Sequence, residues 1–129
     1  MATSTKIKVT VEKTSTGFSA YCDKYPIFTT GRTVPEMIAN CVEGAGMYFE
    51  GRTVTADDLH FVIDFKQFFQ HYKILNAKYL AERIGINAGL LSQYVQGRKK
   101  PSEKQTEKIL LGIQQVGREL SEINLIYRH

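Results

Sequence analysis

The side chains best suited to recognition chemistry lie between residues 75 and 101. Leu80-Ala81 is followed by Gly85-Ile86-Asn87, then Leu90-Leu91-Ser92-Gln93-Tyr94, then Gly97-Arg98-Lys99-Lys100-Pro101. This is the spacing of helix, three-residue turn, helix and basic exit loop. It matches the helix-turn-helix, whose second helix lies in a DNA major groove. Three consecutive cations at the end of that second helix suit phosphate better than a merely solvated face.

Other chemistries have thinner support. Metal-dependent nucleic-acid cleavage needs several carboxylates converging on two Mg²⁺ ions. Asp23, Glu43 and Asp64 are the only scattered candidates. His60, His71 and His129 have neither metal-ligand spacing nor a nucleophile partner, and they read as packing or surface residues. Cys22 and Cys41 are too few and too far apart for a metal-binding pair, and they are expected as free, half-buried thiols. No enzyme activity, metal or cofactor is expected.

The positioning elements must fit 129 residues, enough for one domain or two small ones. An apolar fraction of 43% is ordinary for a folded protein. No apolar run approaches the roughly 20 residues of a membrane span, and residues 1–10 lack the apolar stretch of a signal peptide. No membrane partner is expected, and the expected location is cytoplasmic and nucleoid-associated. The net charge of +4 is unevenly spread. Residues 1–64 hold six Lys/Arg against eight Asp/Glu, and residues 65–129 hold eleven against five. The second half is therefore suited to phosphate and the first is not.

The first half reads as β-β-β-α-β. Residues 6–11 alternate polar and apolar as a half-buried strand does. Thr14-Ser-Thr-Gly17 is a turn cluster, and residues 18–22 return. Residues 27–30 form a third strand after the break at Tyr25-Pro26. Thr33 is a helix N-cap, with Glu36 in capping-box position and Pro35 tolerated in the first turn. Val34, Met37, Ile38, Cys41, Val42, Ala45, Tyr48 and Phe49 then form one apolar stripe, and Gly51 ends the helix. Residues 59–64 are a fourth strand. The expected fold class is α+β: a small β-β-β-α-β domain over residues 1–64, followed by an all-α domain over residues 65–129.

Gly31-Arg-Thr33-Val-Pro-Glu36-Met-Ile-Ala-Asn40 resembles the Gly-x-Thr-x-x-Glu-Ala-x-x-Asn signature of HicB-like antitoxin domains, with Met37 in place of the usual small residue. Gly17-Phe18 and the residues up to Tyr21 resemble their second strand. The resemblance spans about residues 6–64 and implies a truncated, inactive RNase H-like fold. It also implies a possible HicA-like, RNA-cleaving toxin as partner.

In the second half, residues 65–74 place Phe65, Phe68, Phe69, Tyr72 and Ile74 on one helical face, opening the all-α domain. Asn76 can cap the helix 77–84, which buries Leu80, Ala81 and Ile84. Gly85 supplies the turn conformation. Asn87 caps the next helix, which Ile86, Leu91 and Tyr94 or Val95 fasten to the core, and Gly97 ends it. Ser102 opens a long helix with Gln105 in capping-box position. Its stripe is Ile109, Leu110, Ile113, Val116, Leu120 and Ile123. Lys104 and Lys108 read as solubilising side chains.

Residues 65–120 resemble the Cro and lambda-repressor type of domain, and Gly97-Arg-Lys-Lys-Pro-Ser102 is similar to that family's loop after the second helix. The resemblance implies that Ala88, Gly89, Ser92 and Gln93 face base edges. It implies phosphate contacts from Asn76, Lys78, Gln96, Arg98, Lys99 and Lys100. Of the base-facing set, only Gln93 offers a bidentate amide for adenine, so direct readout is expected to be modest. Phosphate contacts and DNA shape would supply much of the affinity.

The partners expected are thus double-stranded DNA and a second copy of the chain, as a homodimer or higher homo-oligomer on a two-fold site. Three surfaces are candidates for self-association: the helix carrying Cys41, the edge of the sheet, and residues 121–127. The expected function is a transcriptional repressor of its own operator. The alternative is an antitoxin acting mainly by masking its toxin.

Overall fold

The computed structural model describes residues 6–127, so His129 lies outside the described residues. Two compact units divide between His71 and Tyr72.

The first unit carries strands β1 (Ile7–Lys13), β2 (Phe18–Tyr21) and β3 (Phe28–Gly31), helix α1 (Val34–Tyr48), a 3-10 turn (Ala56–Asp58), strand β4 (Leu59–Ile63) and helix α2 (Phe65–His71). The order in the sheet is β3-β2-β1-β4. β1 pairs antiparallel with β2, as β2 does with β3, while β4 returns parallel to β1 with Ile7 opposite Leu59 and Val11 opposite Ile63. A parallel return needs a crossover, and α1 lies within it.

Strand alternation puts Ile7, Val9, Val11 and Ala20 into one core with Met37, Cys41 and Ala45 of α1. Val34 and Tyr48 belong to the same sequence pattern but are exposed at the two ends of the helix. The apolar stripe is therefore shorter than its periodicity predicts. Tyr48 instead joins an aromatic cluster with Tyr25 and Phe49, with ring centroids 5.5 and 4.8 Å away.

The junction between β3 and α1 is specified almost atom by atom. The Thr33 hydroxyl accepts from the Glu36 amide at 3.2 Å, which is the Thr half of the expected box. Asn40 Nδ2 donates to the Thr30 carbonyl at 2.7 Å, tying the helix back to the strand. Gly31 faces the Met37 backbone so closely that a Cβ would overlap it.

α2 belongs with the sheet, not with the all-α unit as expected from sequence. The reason is Gln67. Its Nε2 donates to the Lys13 carbonyl at 2.6 Å, and its Oε1 accepts from the Lys13 amide at 2.8 Å. The side chain takes the ladder position next to Lys13 that the backbone of β4 has left, so both Lys13 backbone groups are paired as the chain turns into a helix. Asp64 accepts from the Gln67 amide at 3.1 Å and sets the start of α2. Phe65 and Phe69 are buried, whereas Ile74 lies beyond the helix and is 88% exposed.

The second unit contains α3 (Ala77–Ile84), α4 (Ala88–Val95) and α5 (Glu103–Tyr127). Leu80, Ala81, Leu91, Tyr94 and Ile109 are its buried residues. Of the expected α5 stripe, Ile109 is buried and Ile113 and Val116 are half-buried, but Leu110, Leu120 and Ile123 are exposed. The helix is longer than the unit it packs on.

Cys22 and Cys41 are both free and buried. Burial, helped by the neighbouring Cys22, pushes the Cys41 thiol up to about 11. Burial and Asp23 also raise Cys22.

Two outcomes follow for this unit. Gly31→Ala forces a Cβ into the α1 backbone and should destabilise the unit by about 1–3 kcal/mol, read from the urea midpoint. The raised Cys41 thiol contributes stability that is complete below its ordinary value near 9 and is lost as pH rises toward about 11. The midpoint should therefore fall across that window in the native protein and fall less in Cys41→Ala.

Candidate functional site

α3 and α4 are two eight-residue helices joined by the turn Gly85-Ile86-Asn87. Asn76 caps α3, its Oδ1 accepting from the Lys78 and Tyr79 amides at 3.0 and 3.3 Å. Gly85 sits at φ +84°, and its amide donates to Ala81 O at 2.9 Å. That left-handed residue reverses the chain, and Asn87 Oδ1 then accepts from Leu90 N at 3.1 Å to start α4. Leu91 and Tyr94 turn inward. By helical geometry Ala88, Gly89, Ser92, Gln93 and Gln96 then share the opposite face. All are exposed except Ser92, which is half-buried. Ser92 Oγ accepts from Gln96 Nε2 at 3.3 Å, so these two side chains are tied to each other. Gln93 has no such bond among the described residues, and its amide is the free bidentate group on this face.

α4 itself carries no charge; the cations follow it. Gly97, at φ +75°, donates to Tyr94 O at 3.1 Å, and the Arg98 amide donates to Gln93 O at 2.9 Å. This pair of bonds is a Schellman cap. It fixes the backbone of Arg98 directly beneath the last turn of α4, and Arg98, Lys99 and Lys100 are all exposed. Ser102 Oγ then accepts from Gln105 N at 3.2 Å and opens α5. The expected base-facing and loop residues thus lie on one helix and its exit. Asn76 and Lys78 lie at the start of α3, where Lys78 Nζ sits 5.9 Å from the Tyr79 ring centre.

Three contacts that hold this arrangement were not foreseen. Lys108 Nζ donates to the Gly85 carbonyl at 3.4 Å, so a side chain read as solubilising also anchors the turn. Gly112 lets α5 approach Ile84, where a Cβ would overlap the Ile84 side chain. Arg83 pairs with Glu119 at 2.5 Å, and that bond, with one from Gln115, holds the Glu119 carboxyl below its ordinary value. Each joins residues more than twenty apart, beyond the reach of periodicity.

The first unit also departs from its charge count. Lys6, Lys8, Lys24 and Arg52 line one cavity of about 440 Å³ with Asp23, Ile7 and Tyr25. A half that is acidic in total therefore carries a local positive field, contributed by three separate segments. Of the carboxylates considered for metal chemistry, Asp64 caps α2 and Glu43 is exposed on α1. Burial, then the Glu12, Asp23 and Asp64 carboxylates, raise the Tyr21 hydroxyl. Among the described residues no three His, Cys, Asp or Glu side chains come together as a metal would need.

Compared with protein-family models, with curated proteins and with solved structures, the chain shows no match.

The Gly85 turn is open to test. A Cβ there meets no neighbour, so only the backbone conformation opposes a side chain. Gly85→Ala should cost about 1 kcal/mol, and the β-branched Gly85→Val more, in the thermal unfolding of the second unit. Equal stability of all three would mean that the turn relaxes away from positive φ.

Proposed function

We propose that the chain is a DNA-binding transcriptional repressor of its own operator. In this reading α3 and α4 are a helix-turn-helix of the Cro and lambda-repressor type, and the protein binds as a dimer. The observation that carries it is the pairing of an uncharged polar face on α4 with three exposed cations that follow the Schellman cap at its end. Ala88, Gly89, Ser92 and Gln93 would face base edges, with Gln93 the principal reader. Arg98, Lys99 and Lys100 would hold phosphates, joined by Asn76, Lys78 and Gln96. The bond between Gln96 and Ser92 leaves Ser92 less free to read a base, which favours shape and phosphate as the main sources of affinity. The protein would then be cytoplasmic and nucleoid-associated.

A second reading is favoured by the first unit. Its strand order, its parallel β4 and the Gly31, Thr33 and Asn40 contacts support a HicB-like, truncated RNase H-like domain that masks a small HicA-like toxin. The two readings are compatible in one chain, with the second unit providing autoregulation.

Fluorescence anisotropy against DNA from upstream of the gene, with a scrambled duplex as control, tests the first. Tighter binding to the native duplex with a steep salt dependence is expected. Gln93→Ala should relax preference at one base position by about 1–3 kcal/mol. Lys99→Ala should weaken all duplexes alike and reduce the salt slope by about one unit. Equal affinity for native and scrambled DNA would overturn sequence-specific repression.

A further inference from the structure

We propose that the basic cavity at one end of the first unit's sheet binds a nucleotide carrying two or more phosphates. Its volume is about 440 Å³, and small-ligand sites occupy roughly 300–1,000 Å³. Three segments build its wall. Lys6 and Lys8 flank the buried Ile7 at the start of β1, Lys24 and Tyr25 belong to the connection between β2 and β3, and Arg52 follows α1. β1 and β2 run antiparallel, so the start of one lies beside the end of the other. Backbone bonds shape the other two segments. The Cys22 amide donates to the Ile27 carbonyl at 3.0 Å, and the Ile27 amide to the Tyr25 carbonyl at 2.7 Å, which closes the connection around Lys24. Gly51, at φ +81°, turns the chain after α1, and the Arg52 amide donates to the Phe49 carbonyl at 3.1 Å.

Charge and aromatic cover together select the ligand. Lys6, Lys8, Lys24 and Arg52 are exposed, and among the described residues none of them forms an ion pair. Asp23 is the carboxylate on the wall. Four cations brought together against one carboxylate repel one another, and a bound anion relieves that repulsion. A lone carboxylate would leave most of the excess unmet, whereas a chain of phosphates spans several cations at once. Tyr25 supplies the apolar side. Its ring meets the Phe49 ring edge-on, with centroids 4.9 Å apart, and the Arg52 guanidinium carbon lies 5.5 Å from the centre of that same Phe49 ring. One phenyl ring thus holds both a cation and the aromatic wall in place. Nucleic-acid bases stack on aromatic and guanidinium planes of this kind. An acidic peptide would satisfy the cations but has no use for a concave wall with an aromatic ring. Every wall residue belongs to the first unit, so the inference rests on neither the operator nor the toxin reading.

Calorimetric titration of the full chain with ATP, GTP, adenosine and inorganic triphosphate tests this. ATP and GTP should bind one to one with micromolar dissociation constants, and adenosine should not bind. Lys8→Gln, Lys24→Gln and Arg52→Gln should each weaken ATP about tenfold. Their circular dichroism should match the native chain, because all three side chains are exposed. Lys104→Gln, the same change of charge on α5, should bind ATP as the native chain does. Tyr25→Leu should weaken ATP and leave inorganic triphosphate unchanged. In spectra of the isotope-labelled native chain, the amide shifts produced by ATP should centre on residues 6–8, 23–25 and 52. No binding of ATP or GTP at millimolar concentration would overturn the proposal, as would shifts centred on Arg98 to Lys100. Inorganic triphosphate binding as tightly as ATP would reduce the cavity to a phosphate site and sink the nucleotide assignment. A single-stranded RNA that shifts the same amides at lower concentration than ATP would overturn it in favour of a backbone-binding groove. Loss of operator binding would bear on the second unit alone and leave the proposal standing.

Discussion

Leu91 of α4 and Ile109 of α5 are the large side chains of the second unit with no exposed surface, and the orientation of α4 depends on them. An eight-residue helix is too short to be stable alone. It persists because Leu91 and Tyr94 are buried on the side of it that packs on α3, and that anchoring turns Gln93 and its neighbours outward. The unit has few buried residues, so each contributes a large share of its stability. Polar contacts at the rim, from Lys108 to the turn and from Arg83 to Glu119, brace this small core where apolar cover is thin.

The first unit solves a different problem, which is how a strand becomes a helix twice without leaving polar groups unpaired. After β3 the answer is a glycine that admits the helix backbone, a threonine cap and an asparagine that reaches back to the strand. After β4 it is an aspartate cap and a glutamine whose amide imitates a strand residue. Gly31, Thr33 and Asn40 of the Gly31 to Asn40 segment are thereby accounted for by folding.

The four strands and the helices α1, α3, α4 and α5 were legible in the sequence, because their signals are local. Alternation marks β1, threonine and asparagine caps mark α1, α3 and α4, and glycines mark the turns. What sequence could not show was contact between distant segments. The membership of α2 turned on one glutamine bonding fifty-four residues back. The apolar stripe of α5 was read correctly as a stripe, but its period says nothing about how far its own unit extends, so Leu120 and Ile123 were expected to be buried. The four cations of the first unit were invisible in a charge sum. The polar face of α4 and the basic run after it were legible, since both follow from helix period and position, whereas the bond between Ser92 and Gln96 was not.

The Schellman cap after α4 has an entropic consequence. The φ and ψ angles of Gly97 and Arg98 are fixed by bonds to Tyr94 and Gln93, made entirely within the chain. Ordering a backbone residue costs about 1–2 kcal/mol, and at this loop folding meets that cost in advance. An anion arriving at Arg98 would have to immobilise only the outer rotors of its side chain. Capture would be rapid and its strength set by ionic conditions, with no loop rearrangement to slow it.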